Sequence, residues 1–256
     1  MKTYCFTVDD NIRFLKEIAE QRPASLFDHP YLSMYRRLHE AHGVKVQLNL
    51  FERLGDFDLS QMPDCYRREW EAQAHWLKLS FHSREETFQP YETAAYDQVF
   101  ADCQRVHEEI LRFATAANLA ETTTIHWCKT TEEGVRALRD HGILGLLGLF
   151  GNGENPKTSY SLAESYAKEL RQGKTLCIGD VSFAAITFVI NNYNRDEILA
   201  KLDGLQERDA LKVMIHEQYF YPDYDSYQPD FEEKLSACFE RLTTLGYQSY
   251  FFEDLI

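Results

Sequence analysis

A chain of 256 residues that is 44% hydrophobic and 27% charged has the make-up of a globular protein with a substantial core, and excludes extensive disorder. Its formal net charge of −14 repels phosphate backbones and anionic lipid, which argues against nucleic-acid and membrane partners. The six cysteines (Cys5, Cys65, Cys103, Cys128, Cys177 and Cys238) make no CxxC pair and read as reduced, mostly buried thiols. Met1–Phe6 runs straight into a strand pattern with no apolar leader, and no segment is long enough to span a bilayer, so the expected location is cytoplasmic.

In chain order, strand-like runs are expected at Thr3–Asp10, Val44–Phe51, Leu77–His82, Thr122–Trp127, Ile143–Phe150, Leu176–Ile190, Leu211–Glu217 and Tyr247–Phe252. Helical periodicity occupies Ile12–Glu20 and Leu32–His42 after the first strand, then Asp64–His75, Tyr96–Ala117, Glu132–His141, Ser161–Arg171, Asp196–Leu205 and Phe231–Leu245. Gly43, Gly142 and Gly246 are helix stops. Gly151–Pro156 is a loop within a domain, and nothing resembles a linker or a repeat. Strands alternating with helices imply βαβ units and a parallel sheet. Seven or eight strands in this length favour closure, so the expected fold is α/β: a distorted (β/α) barrel of mainly parallel strands in one domain, residues 1–256.

The strands alternate where fully buried parallel strands would be apolar throughout. Leu77, Leu79 and Phe81 share one face, and Lys78, Ser80 and His82 the other. The same parity sets Asp9, Asn49, His126 and His216 opposite the apolar faces of their own strands, near the carboxyl ends. If helices cover the apolar faces, these residues point into the barrel mouth, where barrel enzymes place their chemistry. Trp127 takes the outward parity of a core residue, and Glu217 faces away from His216 while the strand persists. Asp10 is a candidate metal ligand, or else a cap for the helix starting near Ile12. Three inward histidines with a carboxylate suit zinc, whose catalytic sites keep a position open for water. His29, His39, His42, His75, His107 and His141 lie on helical or loop segments and read as structural or exposed.

Phe6-Thr7-Val8-Asp9-Asp10 resembles the Thr-Phe-Asp-Asp motif of polysaccharide deacetylases, Phe81-His82-Ser83 the start of their His-Ser/Thr-x-x-His motif, and Ile215-His216 their late Leu-x-His segment. The resemblance spans nearly the whole chain and implies a divergent member of that superfamily. It implies Asp9 as catalytic base, His216 as general acid, and Asp10 with the motif histidine His82 as metal ligands. Glu86 stands where the second motif histidine is expected, Asn11 replaces the usual Gly, and Thr124-Ile125-His126-Trp127 stands where an Arg-x-Pro-Tyr segment is expected. His126 or Glu86 must then complete the metal set, and strand parity favours His126.

The expected activity is hydrolysis of an acyl group from an amino sugar or a similar small amide or ester, with a divalent metal, zinc first. Asn49, Tyr219 and Tyr221 are expected to contact a small-molecule or oligosaccharide substrate, and homo-oligomerisation is compatible with the sequence. Two alternatives remain open. One is a barrel of the same fold that binds sugar without cleaving it. The other is a metal-free glycosidase or isomerase, for which Asp180 is the second acid available on a strand.

Overall fold

The structure is a computed structural model that describes residues 1–86, 91–151 and 159–256. The loop read at residues 151–156 therefore lies, beyond Gly151, outside the described residues.

The first half of the chain carries β1 (Lys2–Asn11), β2 (Val46–Phe51), the strands β3 (Arg53–Leu54) and β4 (Phe57–Asp58), which form a separate antiparallel hairpin, and β5 (Leu77–Ser83). The second half carries β6 (Thr122–Thr123), β7 (Gly145–Gly148), β8 (Thr175–Ile178), β9 (Val181–Ala185), β10 (Phe188–Val189), β11 (Ala210–His216) and β12 (Tyr247–Ser249). Parallel pairing runs in the order β10-β11-β1-β2-β5, and separately β6-β7-β9 with β8 antiparallel on the edge. Two seams join these ladders into a distorted barrel. At one, Leu79 bridges Leu119 and Thr123 Oγ1 donates to Phe81 O. At the other, the run from β9 into β10 leaves β7 for β11, with Ile186 N donating to Gly148 O and Thr187 N to Lys212 O.

Helices cover the outside: α1 (Arg13–Gln21), α2 (Pro30–His42), α3 (Arg67–Gln73), α4 (Tyr96–Phe113), α5 (Glu132–Asp140), α6 (Glu164–Arg171), α7 (Arg195–Gly204) and α8 (Phe231–Thr244). Their starts and stops are chemical. Pro30 opens α2, the Thr131 side chain accepts from Gly134 N at the start of α5, and Asn194 with Glu197 forms a capping box on α7. Gly43 ends α2 at φ 67°, a backbone angle costly for other residues. Outward strand residues meet helix residues: Phe6 packs between Tyr35 of α2 and Phe239 of α8, at ring-centroid distances of 6.1 and 4.9 Å. Each such buried aromatic contributes roughly 2–3 kcal/mol.

The inward faces form a column. At the amino end Lys45, Lys78 and Lys212 point to the 3₁₀ turn Phe252–Leu255, which plugs the barrel. Lys78 pairs with Glu253, Lys45 Nζ lies 3.0 Å from Asp254 Oδ2, and Lys212 Nζ lies 6.0 Å from the Phe252 ring. Above the plug sits a small apolar layer that includes Cys5, Leu147, Ile186 and Met214. Above that lie Gln47, Asn49 and Thr122, all buried.

Two expectations need correction. The strand expected over Leu176–Ile190 is a hairpin followed by a crossing: β8 turns back at Gly179 and Asp180, both at positive φ, into β9. Asp180 is therefore exposed in a turn at the amino end of β9, away from the carboxyl-end mouth, and the second acid that the glycosidase reading required is not there. The strand expected over Thr122–Trp127 ends at Thr123. His126–Cys128 is a 3₁₀ turn with Trp127 at φ 61° and Cys128 at φ 55°, so strand parity does not govern them.

Candidate active site

Consecutive residues of a strand point to opposite faces, so Asp9 and Asp10 can face one cleft only if the strand is broken between them. It is. Thr7 and Val8 pair with Gln47 and Leu48, but the next pair is Asn11 with Leu50, leaving two residues of β1 opposite the single Asn49. Asp10 takes φ 62° at this bulge, a conformation that Asp tolerates better than most residues. Asn11 braces the bulge: its Nδ2 donates to Val8 O (2.6 Å) and Asn49 O (3.2 Å), and its Oδ1 accepts from Tyr31 OH (2.8 Å). A second bulge places His82. Leu50 pairs with Phe81 and Phe51 with Ser83, so His82 is the extra residue at the end of β5.

The histidine tautomers follow from their outer bonds. His82 Nδ1 donates to Thr124 O and His126 Nε2 to Glu86 O, because a carbonyl oxygen can only accept. That leaves His82 Nε2 and His126 Nδ1 as lone-pair atoms in the neutral rings. They lie 3.1 Å apart, and Asp10 Oδ1 is 3.0 Å from the first and 3.3 Å from the second. Three lone pairs at such spacing repel unless a proton or a cation sits among them. Zinc held tetrahedrally at ~2.0–2.1 Å puts its ligand atoms roughly 3.3 Å apart, so this donor set fits a divalent ion. The electrostatics agree. Burial alone would raise the Asp10 carboxyl, but the His126 and His82 rings against it hold it well below the usual carboxylate range. Burial opposes protonation of His82, yet the charges of Asp9 and Asp10 push its pKa up.

Asp9 stands beside this set, nearly fully buried, and burial pushes its carboxyl up despite His82 and His216 nearby. A hydrogen-bond chain through the barrel holds it: Thr122 Oγ1 donates to Gln47 Oε1 (2.9 Å), Gln47 Nε2 to Asn49 Oδ1 (2.8 Å), and Asn49 Nδ2 to Asp9 Oδ1 (2.7 Å). His216 is the register partner of Asp9 on β11. Its Nδ1 donates to Asn191 Oδ1 at 2.9 Å, which leaves Nε2 as the reactive nitrogen. Asp9, Asp10, His82, His126 and His216 line a cleft of about 700 Å³ together with Trp127, Gln218, Tyr219 and Tyr224.

Several expected residues fall elsewhere. Asn49 is fully buried beneath Asp9 and does not line the cleft; it supports a carboxylate where substrate contact was expected. Tyr221 is buried too, its hydroxyl donating to Glu217 Oε1 and its ring under the Arg13 guanidinium, whereas Tyr219 does line the cleft. Trp127, expected in the core, is 67% exposed at the cleft wall because the left-handed turn reverses its parity. Glu86 is exposed at the cleft lining and meets His126 through its backbone oxygen.

Glu217, just past the end of β11, is fully buried and caps α1, which has no side-chain cap of its own. Its carboxylate accepts from the backbone N–H groups of Ile12 (2.6 Å), Arg13 (3.0 Å) and Phe14 (2.8 Å). The capping role considered for Asp10 thus belongs to Glu217. Sequence reasoning also passed over Gln47, Asn191 and Gln218; one inward polar residue two before Asn49 was the available signal for Gln47.

No protein-family model and no curated protein sequence matches the chain. Solved structures do. A 4-alpha-glucanotransferase from Thermococcus litoralis matches with a TM-score of 0.63 at 13% identity, over 99% of this chain and 40% of that one. A family 4 acetyl xylan esterase from Clostridium thermocellum, in complex with a cobalt ion, matches with a TM-score of 0.53 at 13% identity, over 99% of this chain and 90% of that one. A CE4 family pseudoenzyme from Bacillus anthracis matches with a TM-score of 0.52 at 12% identity, over 99% of this chain and 65% of that one. The chain thus spans well under half of the glucanotransferase and just under two thirds of the pseudoenzyme. At such identities the likeness is one of architecture: this chain has the distorted α/β barrel fold of the CE4 polysaccharide deacetylases.

Proposed function

We propose that this protein is a metal-dependent hydrolase, a divergent relative of the polysaccharide deacetylases, that removes an acyl group from an amino sugar or a similar small amide or ester. The observation that carries the reading is the convergence of Asp10 Oδ1, His82 Nε2 and His126 Nδ1 within 3.3 Å of one another, beside Asp9 and His216 in one cleft. A divalent ion held by those three atoms, zinc first, would polarise the acyl carbonyl and lower the pKa of a water. Asp9, oriented by Asn49 and raised by burial, takes the proton from the attacking water. His216, whose Nδ1–H is held by Asn191, gives a proton from Nε2 to the departing nitrogen or oxygen. Trp127 and Tyr219 offer apolar faces to a sugar ring in the cleft.

The replacement of Gly by Asn11 does not weaken this reading, because the Asn11 side chain holds the bulge that aims both aspartates. The test is release of acetate from N-acetylated amino sugars and their short oligomers. The reading expects turnover that needs divalent metal, is abolished by chelator, and falls roughly 10²–10⁴-fold in Asp9→Asn. Turnover that survives exhaustive chelation would overturn the metal-dependent part. Sugar binding without turnover in the metal-loaded protein would replace hydrolysis with recognition.

A further inference from the structure

We infer that Gln218 is a positioning residue that holds Asp10 to the candidate metal site by a single oxygen. The two oxygens of Asp10 have different neighbours. Oδ1 faces His82 and His126, while Oδ2 accepts a hydrogen bond from Gln218 Nε2 at 2.8 Å. The orientation of the Gln218 amide is fixed by chemistry: a carboxylate only accepts, so the NH₂ end must face it. Among the described residues Gln218 Oε1 is buried with no hydrogen-bond partner, so no second bond among them accounts for the placement of this amide. The contact with Asp10 is what it makes.

The backbone delivers Gln218 with little freedom. His216 is in register with Asp9, and Glu217 is locked onto the amino end of α1 by the N–H groups of Ile12, Arg13 and Phe14. Gln218 therefore starts from a point fixed relative to the Asp9–Asp10 bulge. The χ2 torsion of Asp is soft, so an unheld carboxylate could rotate to offer both oxygens to a cation. With Oδ2 occupied by a charge-assisted bond, Asp10 supplies one ligand atom, and the remaining positions stay open for water and an acyl oxygen.

This inference rests on the metal-site reading, and its test separates the two. Chelator-stripped wild type, Gln218→Met and Gln218→Ala are titrated with Co²⁺ by visible absorption and with Zn²⁺ by competition. The unfolding midpoint of each metal-free protein is measured alongside. Both variants are expected to bind Co²⁺ and Zn²⁺ roughly 10–100-fold more weakly. The Co²⁺ absorption band should change shape, because the carboxylate is free to bind through both oxygens, while the metal-free midpoints stay at the wild-type value. Variants that bind with wild-type affinity and an unchanged band overturn the inference. So does weakened binding with an unchanged band that merely tracks a lower metal-free midpoint. A wild type that binds neither ion overturns the metal site itself.

Discussion

Replacing Asn11 by Ala removes a buried amide that makes three hydrogen bonds, to Val8 O, Asn49 O and Tyr31 OH. Each neutral bond contributes about 1 kcal/mol net, so the loss should come to about 3 kcal/mol, and more if water cannot reach the carbonyls left unpaired. In a domain of this size that lowers the thermal midpoint by roughly 6–12 °C. Tyr31→Phe removes the one shared hydroxyl and should cost about 1 kcal/mol. The double variant should cost less than the two singles together, because both break the same bond. Urea unfolding followed by tryptophan fluorescence, with the four proteins as a cycle, gives these values directly. An Asn11→Ala protein within about 1 kcal/mol of wild type, or strict additivity with Tyr31→Phe, would refute the claim that this side chain holds the bulge.

Burial lifts Glu217 from 4.5 to about 7, although the N–H groups of α1 pull it back. The folded state then binds more protons than the unfolded one between those values. Its contribution is full below pH 4.5 and is lost as the pH rises through 7, about 3 kcal/mol in all. Unfolding measured from pH 5 to 8 should show a shallower loss of stability in Glu217→Gln than in wild type; identical slopes would remove Glu217 as a cause. Glu253→Ala leaves Lys78 without its partner at the barrel plug and should destabilise by roughly 3 kcal/mol, read by the same denaturation; an unchanged midpoint would mean that the plug carries no weight. Trp127→Ala should leave stability within about 0.5 kcal/mol, since the side chain is mostly exposed, while weakening acylated-sugar binding roughly tenfold by calorimetry. Equal affinity in both proteins would take Trp127 out of the binding surface.

The barrel was legible because period-two alternation survived in strands separated by helices, a pattern that only an inward polar face explains. Alternation alone put Asp9, His82 and His216 on that face. It could not place Asp10, which reaches the cleft only through a bulge at positive φ that leaves no clear trace in the sequence. His126 reaches the same cleft by a route the sequence reading did not foresee: the strand ends at Thr123 and a left-handed turn carries the histidine inward. That turn is also why Trp127 faces solvent. Tyr221 and Glu217 illustrate the other limit. Both follow His216 in sequence, but where β11 stops is decided by the capping of α1, some two hundred residues away in the chain. A composition or spacing rule cannot see such a contact. Gln218, joined to Asp10 across the neighbouring strands β11 and β1, escaped notice for the same reason.

The central claim is that Asp10, His82 and His126 hold a divalent ion, and elemental analysis of protein purified without chelator or nickel affinity tests it most directly. The account expects close to one equivalent of zinc or a similar ion in wild type and its loss in His82→Ala. Wild-type protein that carries no metal, even after soaking in zinc, cobalt and manganese, would contradict it.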